Sequence, residues 1–325
     1  MSRFRTFITA AATAAVLTTG LAAANAGEAW PQRTVKVIIP LPAGTSVDTS
    51  ARLFAEQLAA RWGQPVVIEN MPGADGIVAV NEFVRRADNH TLIYSFAGLI
   101  TINPVLHKKL SYDPARDLVP IATTSDNFLA IAVTSKLPAT SLRELVAHAR
   151  SHPTELNWAA SPGLPYFAFA NLQKDTGVEM IYVPYRDVNA AVVDLGEGRI
   201  DVGSMGLTNL LPQLQAAKVR VLAVLNRVRS PAAPHVPTVA EAGFPELTFE
   251  GVTGFYGWRN MPGELRDRIA ADVRAVADSQ AIKERLAKIG IVARGSTPSE
   301  FAAAIEEQRA KVATITAALG MKPTH

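Results

Sequence analysis

Along the chain, short runs of β-branched and aliphatic residues alternate with stretches in which apolar positions recur every third or fourth residue. This pattern predicts βαβ units, and hence an α/β fold with mostly parallel sheets flanked by helices. Residues 34–40 read as a first strand. The stretch after it sets Ala51, Phe54, Ala55, Leu58 and Trp62 on one helical face, and Gly63 supplies the stop. A strand over 66–70, a helix over 76–86 and a strand over 91–95 continue the alternation. Strand-like runs over 119–123 and 129–134 would carry the chain into a second lobe.

The alternation then repeats. A helix over 141–150 opens with Ser141 and Glu144 at capping-box spacing. Strands are predicted over 157–160, 180–184, 200–204 and 221–224, with helices over 166–176, 189–197 and 209–217 between them. Three prolines within 230–237 suit a surface excursion, and 247–258 reads as extended. Helices over 264–277, 280–288 and 298–318 finish the chain. The last of them has Thr297 as cap, Pro298 at the first helical position and Glu300 as box partner. No repeat of fixed period occurs, which disfavours a solenoid.

The first residues stand apart. Arg3 and Arg5 precede an apolar, small-residue run over 7–23 that ends in Ala24-Asn25-Ala26, the pattern of a signal peptide cut after Ala26. Cutting there removes 26 of 325 residues, leaving 299, which is room for two domains. It also removes two arginines, so the formal charge of +3 falls to +1 and offers little field for nucleic acid. There is no cysteine, so neither disulfides nor an N-terminal lipid anchor on a thiol is available, and a freely diffusing monomer is expected.

Tests for chemistry come back empty. No G-x-S-x-G elbow is present, and Gly203-Ser204-Met205-Gly206 has the wrong spacing for one. Gly196-Glu197-Gly198 follows a predicted helix instead of a first strand, and no Walker loop occurs. Of the six histidines only His148 and His152 share an i, i+4 spacing, at a helix end where histidine serves the dipole. No catalytic residue, metal or cofactor is therefore expected.

The distinctive segment is Ile39-Pro40-Leu41-Pro42-Ala43-Gly44-Thr45-Ser46-Val47-Asp48, a turn leading from the first strand straight into a helix. Free amides at such a helix start attract anions, and Thr45 and Ser46 add hydroxyls. The same residues serve equally well as a plain cap, with Ser46 capping and Asp48 complementing the dipole.

From this turn onward the chain resembles a family. The segments that carry the resemblance are Trp30-Pro31, the proline-rich turn ending in Asp48, Gly63-Gln64-Pro65-Val66-Val67-Ile68-Glu69-Asn70-Met71-Pro72-Gly73-Ala74 and Ile102-Asn103-Pro104. They continue with Tyr112-Asp113-Pro114, Val183-Pro184-Tyr185-Arg186, Asp194-Leu195 with Gly198-Arg199-Ile200-Asp201, and Val236-Pro237-Thr238-Val239-Ala240-Glu241-Ala242-Gly243. The family is that of the periplasmic receptors of tripartite tricarboxylate transporters, the Bug receptors. The resemblance implies a two-lobed type II periplasmic binding fold, with 27–125 and 228–325 forming lobe 1 and 126–227 forming lobe 2.

It implies a receptor, not an enzyme. The ligand would be a small carboxylate (a dicarboxylate, tricarboxylate, aromatic acid or amino acid), handed to membrane transporter subunits. A ligand sensor for a signalling partner and, more remotely, a secreted enzyme are the alternatives. Carried over by position, the ligand-binding residues would be Pro42, Ala43, Gly44, Thr45, Ser46 and Asp48 in the first turn, and Phe96, Ala97 and Gly98 after a later strand. From lobe 2 they would be Ser161, Gly163, Leu164 and Tyr166, Asp187, and the strand-end pair Ser204 and Met205.

The chain departs from the family pattern at Pro42-Ala43-Gly44-Thr45, where Pro-Pro-Gly-Gly is usual, and at Met71, Asp75 and Asp187. It also offers Leu164, Pro165, Tyr166 and Phe167 where small polar residues are usual, which implies a more apolar far end to the pocket. Phe167 and Tyr185 read as packing residues.

Overall fold

The computed structural model describes residues 30–185 and 187–321, and the signal-like segment over 1–26 lies outside them. The chain first builds β1 (Val35–Ile39), α1 (Ser46–Trp62), β2 (Val66–Asn70), α2 (Ile77–Arg86) and β3 (Thr91–Phe96). Three single-turn helices follow, α3 (Gly98–Thr101), α4 (Asn103–Leu106) and α5 (Pro114–Asp117), and then β4 (Val119–Asn127). A second set comprises β5 (Leu129–Thr134), α6 (Leu142–Ser151), β6 (Asn157–Ala160), α7 (Leu164–Thr176), β7 (Ile181–Tyr182), α8 (Val188–Glu197), β8 (Val202–Gly206), α9 (Leu207–Gln215) and β9 (Val219–Val224). The chain then returns with β10 (Gly251–Gly257), α10 (Gly263–Asp278), α11 (Gln280–Ala287), β11 (Ile291–Ala293) and α12 (Pro298–Ala318).

Two sheets result, one per lobe. The first has the order β11-β4-β10-β3-β1-β2 and the second β7-β6-β8-β5-β9. Most strands of each sheet run one way, as expected, but both sheets are mixed, with β10 and β11 reversed in the first and β5 in the second. β1 runs parallel to β2 and β3, and β6 parallel to β7 and β8. β10 is antiparallel to both its neighbours, as is β5, and β11 is antiparallel to β4.

The reason lies in the crossings. Strands of βα units run toward the gap between the lobes, so Ile39, Asn70, Phe96, Ala160 and Gly206 all end at that side. β5 and β10 have each just arrived from the other lobe, so each starts at the gap and runs away from it. Local sequence pattern carries no sign of direction, which is why this reversal was not legible.

The crossings are laced together. Asn226, buried just after β9, accepts from the Leu129 amide at 3.1 Å and donates to the Asn127 carbonyl at 3.2 Å. The return strand joins the same spot, with the Phe249 amide donating to the Leu225 carbonyl at 2.8 Å.

The last helix spans both lobes. Its start is the expected capping box of Thr297 and Glu300. Phe301 and Ile305 are buried with Ile38, Phe83 and Tyr256, whereas Val312 and Ile315 are buried with Trp158, Phe169 and Leu172. Full burial of such side chains contributes roughly 1.5–3 kcal/mol each, so α12 is fastened at both ends.

Three local differences have simple causes. At α6 the Ser141 hydroxyl accepts from the Glu144 amide, but the Glu144 carboxylate bonds Thr140 instead of closing the box on Ser141. α7 starts at Leu164, two residues early, because Pro165 fits the first turn of a helix. β7 is cut to two residues, since Pro184 has no amide to extend the ladder.

A candidate anion-binding cleft

The first βα turn is held by a buried acid. Thr45 is the N-cap of α1, its hydroxyl accepting from the Asp48 amide at 3.3 Å and donating to the Pro42 carbonyl at 3.0 Å. Asp48 is only 3% exposed. One carboxylate oxygen accepts from the Gly44 amide at 2.9 Å and from Arg52 Nε at 3.0 Å, and the other accepts from Asn70 Nδ2 at 2.9 Å. Asn70 also donates to the Leu41 carbonyl and accepts from Arg52, each at 3.0 Å.

Burial pushes the Asp48 carboxyl up, but Arg52, the Gly44 amide and Asn70 together outweigh it and hold it below the usual carboxylate range. Gly44 sits at φ 84°, where a side chain would be strained, so glycine lets the turn fold back onto Asp48.

These contacts sort the expected site residues by role. The Thr45 hydroxyl and the Asp48 carboxylate are committed within the turn, so they shape the site instead of reaching into it. The amides of Ser46 and Val47 and the Ser46 hydroxyl have no partner among the described residues, which leaves them available as donors. Pro42, Ala43 and Gly44 form the exposed rim. Arg52 and Asn70 are site residues that motif reading passed over. The i, i+4 spacing of Asp48 and Arg52 was the signal available for the first of them.

The second turn, after β3, is apolar. Phe96 is 38% exposed at the strand end, and its ring packs so closely that a Cβ on Gly98 would lie 2.7 Å from it. Ala97 is buried, its amide donating to the Val252 carbonyl at 3.2 Å.

Lobe 2 contributes the loop after β6. The Ser161 amide donates to the Ser204 carbonyl at 3.0 Å, and the buried Ser204 hydroxyl donates to the Pro165 carbonyl at 2.8 Å. Ser204 thus ties the end of β8 to the start of α7. Met205 is buried in the core under α8 and α9, and Asp187 is exposed, capping α8 by accepting from the Asn189 amide at 2.9 Å. Tyr166 stacks on Trp158 with ring centres 5.5 Å apart and meets Tyr182 edge-on at 5.1 Å. Phe167 is buried, as expected.

One side chain links the turns. A Cβ added to Gly98 would lie 3.4 Å from Ile102 Cδ1, and one added to Gly163 would lie 3.2 Å from the same atom. The loops after β3 and β6 therefore face each other across Ile102, with the β1 turn beside them on the neighbouring strand. Ile102 opens the Ile102-Asn103-Pro104 segment of the resemblance, but its place between the loops arises only when the two lobes meet.

Among the described residues of these turns the unpartnered polar groups are amides and hydroxyls, and the buried Ser204 hydroxyl is spent on a carbonyl. His148 and His152 stack at 4.3 Å, with His152 Nδ1 against the Ser151 hydroxyl and the His148 carbonyl. A cavity of about 470 Å³ lies elsewhere, at the outer side of lobe 2 beside the start of α6. Its arginines are tied to backbone carbonyls, Arg143 to Ala242 and Arg220 to Leu137 and Ala139, so that cavity reads as a packing gap.

The family model described as the tripartite tricarboxylate transporter family receptor matches residues 50–321. The chain belongs to this family. The receptor is 31% identical over 300 residues to the UPF0065 protein in the tcbD-tcbE intergenic region of Pseudomonas sp. (strain P51), covering 89% of this chain and 87% of that one. Among solved structures it superposes on R. palustris Rpa4515 with adipate at a TM-score of 0.81 and 30% identity, covering 91% of this chain and 100% of that one. It also superposes on MatC (Rpa3494) from Rhodopseudomonas palustris with bound malate at a TM-score of 0.75 and 29% identity, covering 88% and 99%. The receptor is thus a two-lobed periplasmic solute-binding protein and not an enzyme.

Proposed function

We propose that the receptor captures a small organic carboxylate between its lobes and delivers it to the membrane subunits of a tripartite transporter. The observation that carries this reading is the pair of unpartnered amides at Ser46 and Val47, beside the Ser46 hydroxyl, at the N-terminus of a 17-residue helix. Adipate and malate in the two similar structures support the ligand class. Export through a signal peptide cut after Ala26 and a monomeric mature form belong to the same reading. So does a lobe division near residues 126 and 227. The two sheets support a change of lobe between β4 and β5 and a return between β9 and β10, with Val236, Val239, Leu247 and Phe249 still packed in the lobe 2 clusters and α12 packed on both lobes.

Thermal unfolding against a panel of organic acids and neutral sugars tests the proposal. An acid that binds the folded state at ~100 times its dissociation constant should add about 2.7 kcal/mol of apparent stability. A panel in which sugars stabilise and no acid does would overturn the carboxylate assignment.

A further inference from the structure

The cleft has two ends, and they differ. At the α1 end the free amides belong to consecutive residues, Ser46 and Val47, and a hydroxyl stands next to them. At the α7 end the cap is Gly163, which brings no side chain, and the second helical residue is Pro165, which has no amide. The amides of Leu164 and Tyr166 remain unpartnered but are separated by the proline ring.

Hydrocarbon covers this second helix start. Ile102 Cδ1 sits against Gly163, Ile102 and Leu164 are both buried in the lobe 2 core cluster, and the exposed Phe96 ring lies on the other side of Gly98. The hydroxyls of Ser161 and Tyr166 on this side, both half-buried, have no hydrogen-bond partner among the described residues. Among the described residues of these loops there is no lysine, arginine or histidine.

We infer that the receptor selects acids with one carboxylate and an uncharged, largely hydrocarbon far end. This inference rests on the carboxylate reading above and sharpens it. A first carboxylate meets adjacent amides at α1. A second carboxylate on the same ligand would have to shed its water beside Ile102, Leu164 and Phe96 with neither a cation nor paired amides among the described residues of these loops to receive it, and burying an ionised group unpaired is strongly unfavourable. An alkyl or aryl end instead gains from leaving water at the same place, and the Ser161 hydroxyl can serve an uncharged polar atom there.

Matched pairs of ligands test this: butanoate against succinate, hexanoate against adipate, and benzoate against terephthalate, by calorimetry at neutral pH on the mature receptor. The monoacid of each pair that binds should win by about tenfold or more. Pro165→Ala restores the missing amide without touching the Ser204 bond to the residue 165 carbonyl, and it should narrow that ratio severalfold in favour of the diacid. A diacid that binds as tightly as its monoacid overturns the inference while leaving the carboxylate reading intact. A diacid preference that Arg186→Gln abolishes overturns it too, assigning the second charge to the segment between β7 and α8. If none of the six acids binds while a neutral solute does, the carboxylate reading itself has failed.

Discussion

The turns that open α1 and α7 occupy equivalent places, each following a strand that ends at the cleft, and each contains a glycine at positive φ, 84° at Gly44 and 88° at Gly163. What supports them is different. Beneath the first lies the Asp48, Arg52 and Asn70 network, and against the second lie Ile102 and a serine hydroxyl bonded to a carbonyl. A shared backbone position therefore sets where ligand can approach, while the groups behind the turn decide whether charge is welcome there.

Removing the support should separate the two turns most clearly. Asp48→Ala strips the acceptor from the Gly44 amide, Arg52 and Asn70 at once, and is expected to cost about 2–3 kcal/mol in urea unfolding, with ligand affinity falling as well. Ser204→Ala, its counterpart in lobe 2, loses one neutral hydrogen bond and should cost about 1 kcal/mol. Equal costs would mean that the first turn is no more dependent on its acid than the second is on its serine.

Within the first turn, Thr45 and Ser46 should behave oppositely. Thr45→Val removes the N-cap and is expected to lower the stability of the empty receptor by about 1–2 kcal/mol. Ser46→Ala removes a hydroxyl with no internal partner, so its melting temperature should hold while ligand affinity weakens by about 1 kcal/mol. A Thr45→Val variant that melts normally but binds poorly would return the donor role to Thr45.

Acid gives the smallest and most diffuse effect. Asp48 titrates below its ordinary 3.8 and Glu82, held by Arg85 and Arg86, is lowered from 4.5 to about 2. Both are depressed in the folded state, so their contribution is complete above about pH 4.5 and is lost as pH falls through the folded values toward pH 2. Melting temperatures recorded from pH 7 to pH 2 should therefore fall on the acid side, and Asp48→Asn should flatten that limb. An unchanged limb would remove Asp48 from the groups that set it.

Much of this was legible in the sequence. The face of α1, its glycine stop, the Thr297 box and the location of the first turn followed from spacing and residue type, because each depends on neighbours within a few positions. The first turn was half visible, since residue type puts the cap at Ser46, whereas Thr45, one residue earlier, caps α1 and leaves the Ser46 hydroxyl outside the cap. The place of Ile102 between the loops, the bonds of Asn226 and the reversal of β5 and β10 depend on contacts between distant segments, which local patterning does not show.

Asn226 has a mechanical consequence. Its side-chain amide bonds the outgoing crossing at Asn127 and Leu129, and the neighbouring Leu225 carbonyl accepts from Phe249 on the return strand. Ribbons fastened edge to edge bend easily about the line that crosses them and resist sliding or wringing, much as a strap does. Such lacing favours one axis over the others for a swing of the lobes, and α12, packed on both, would have to follow it.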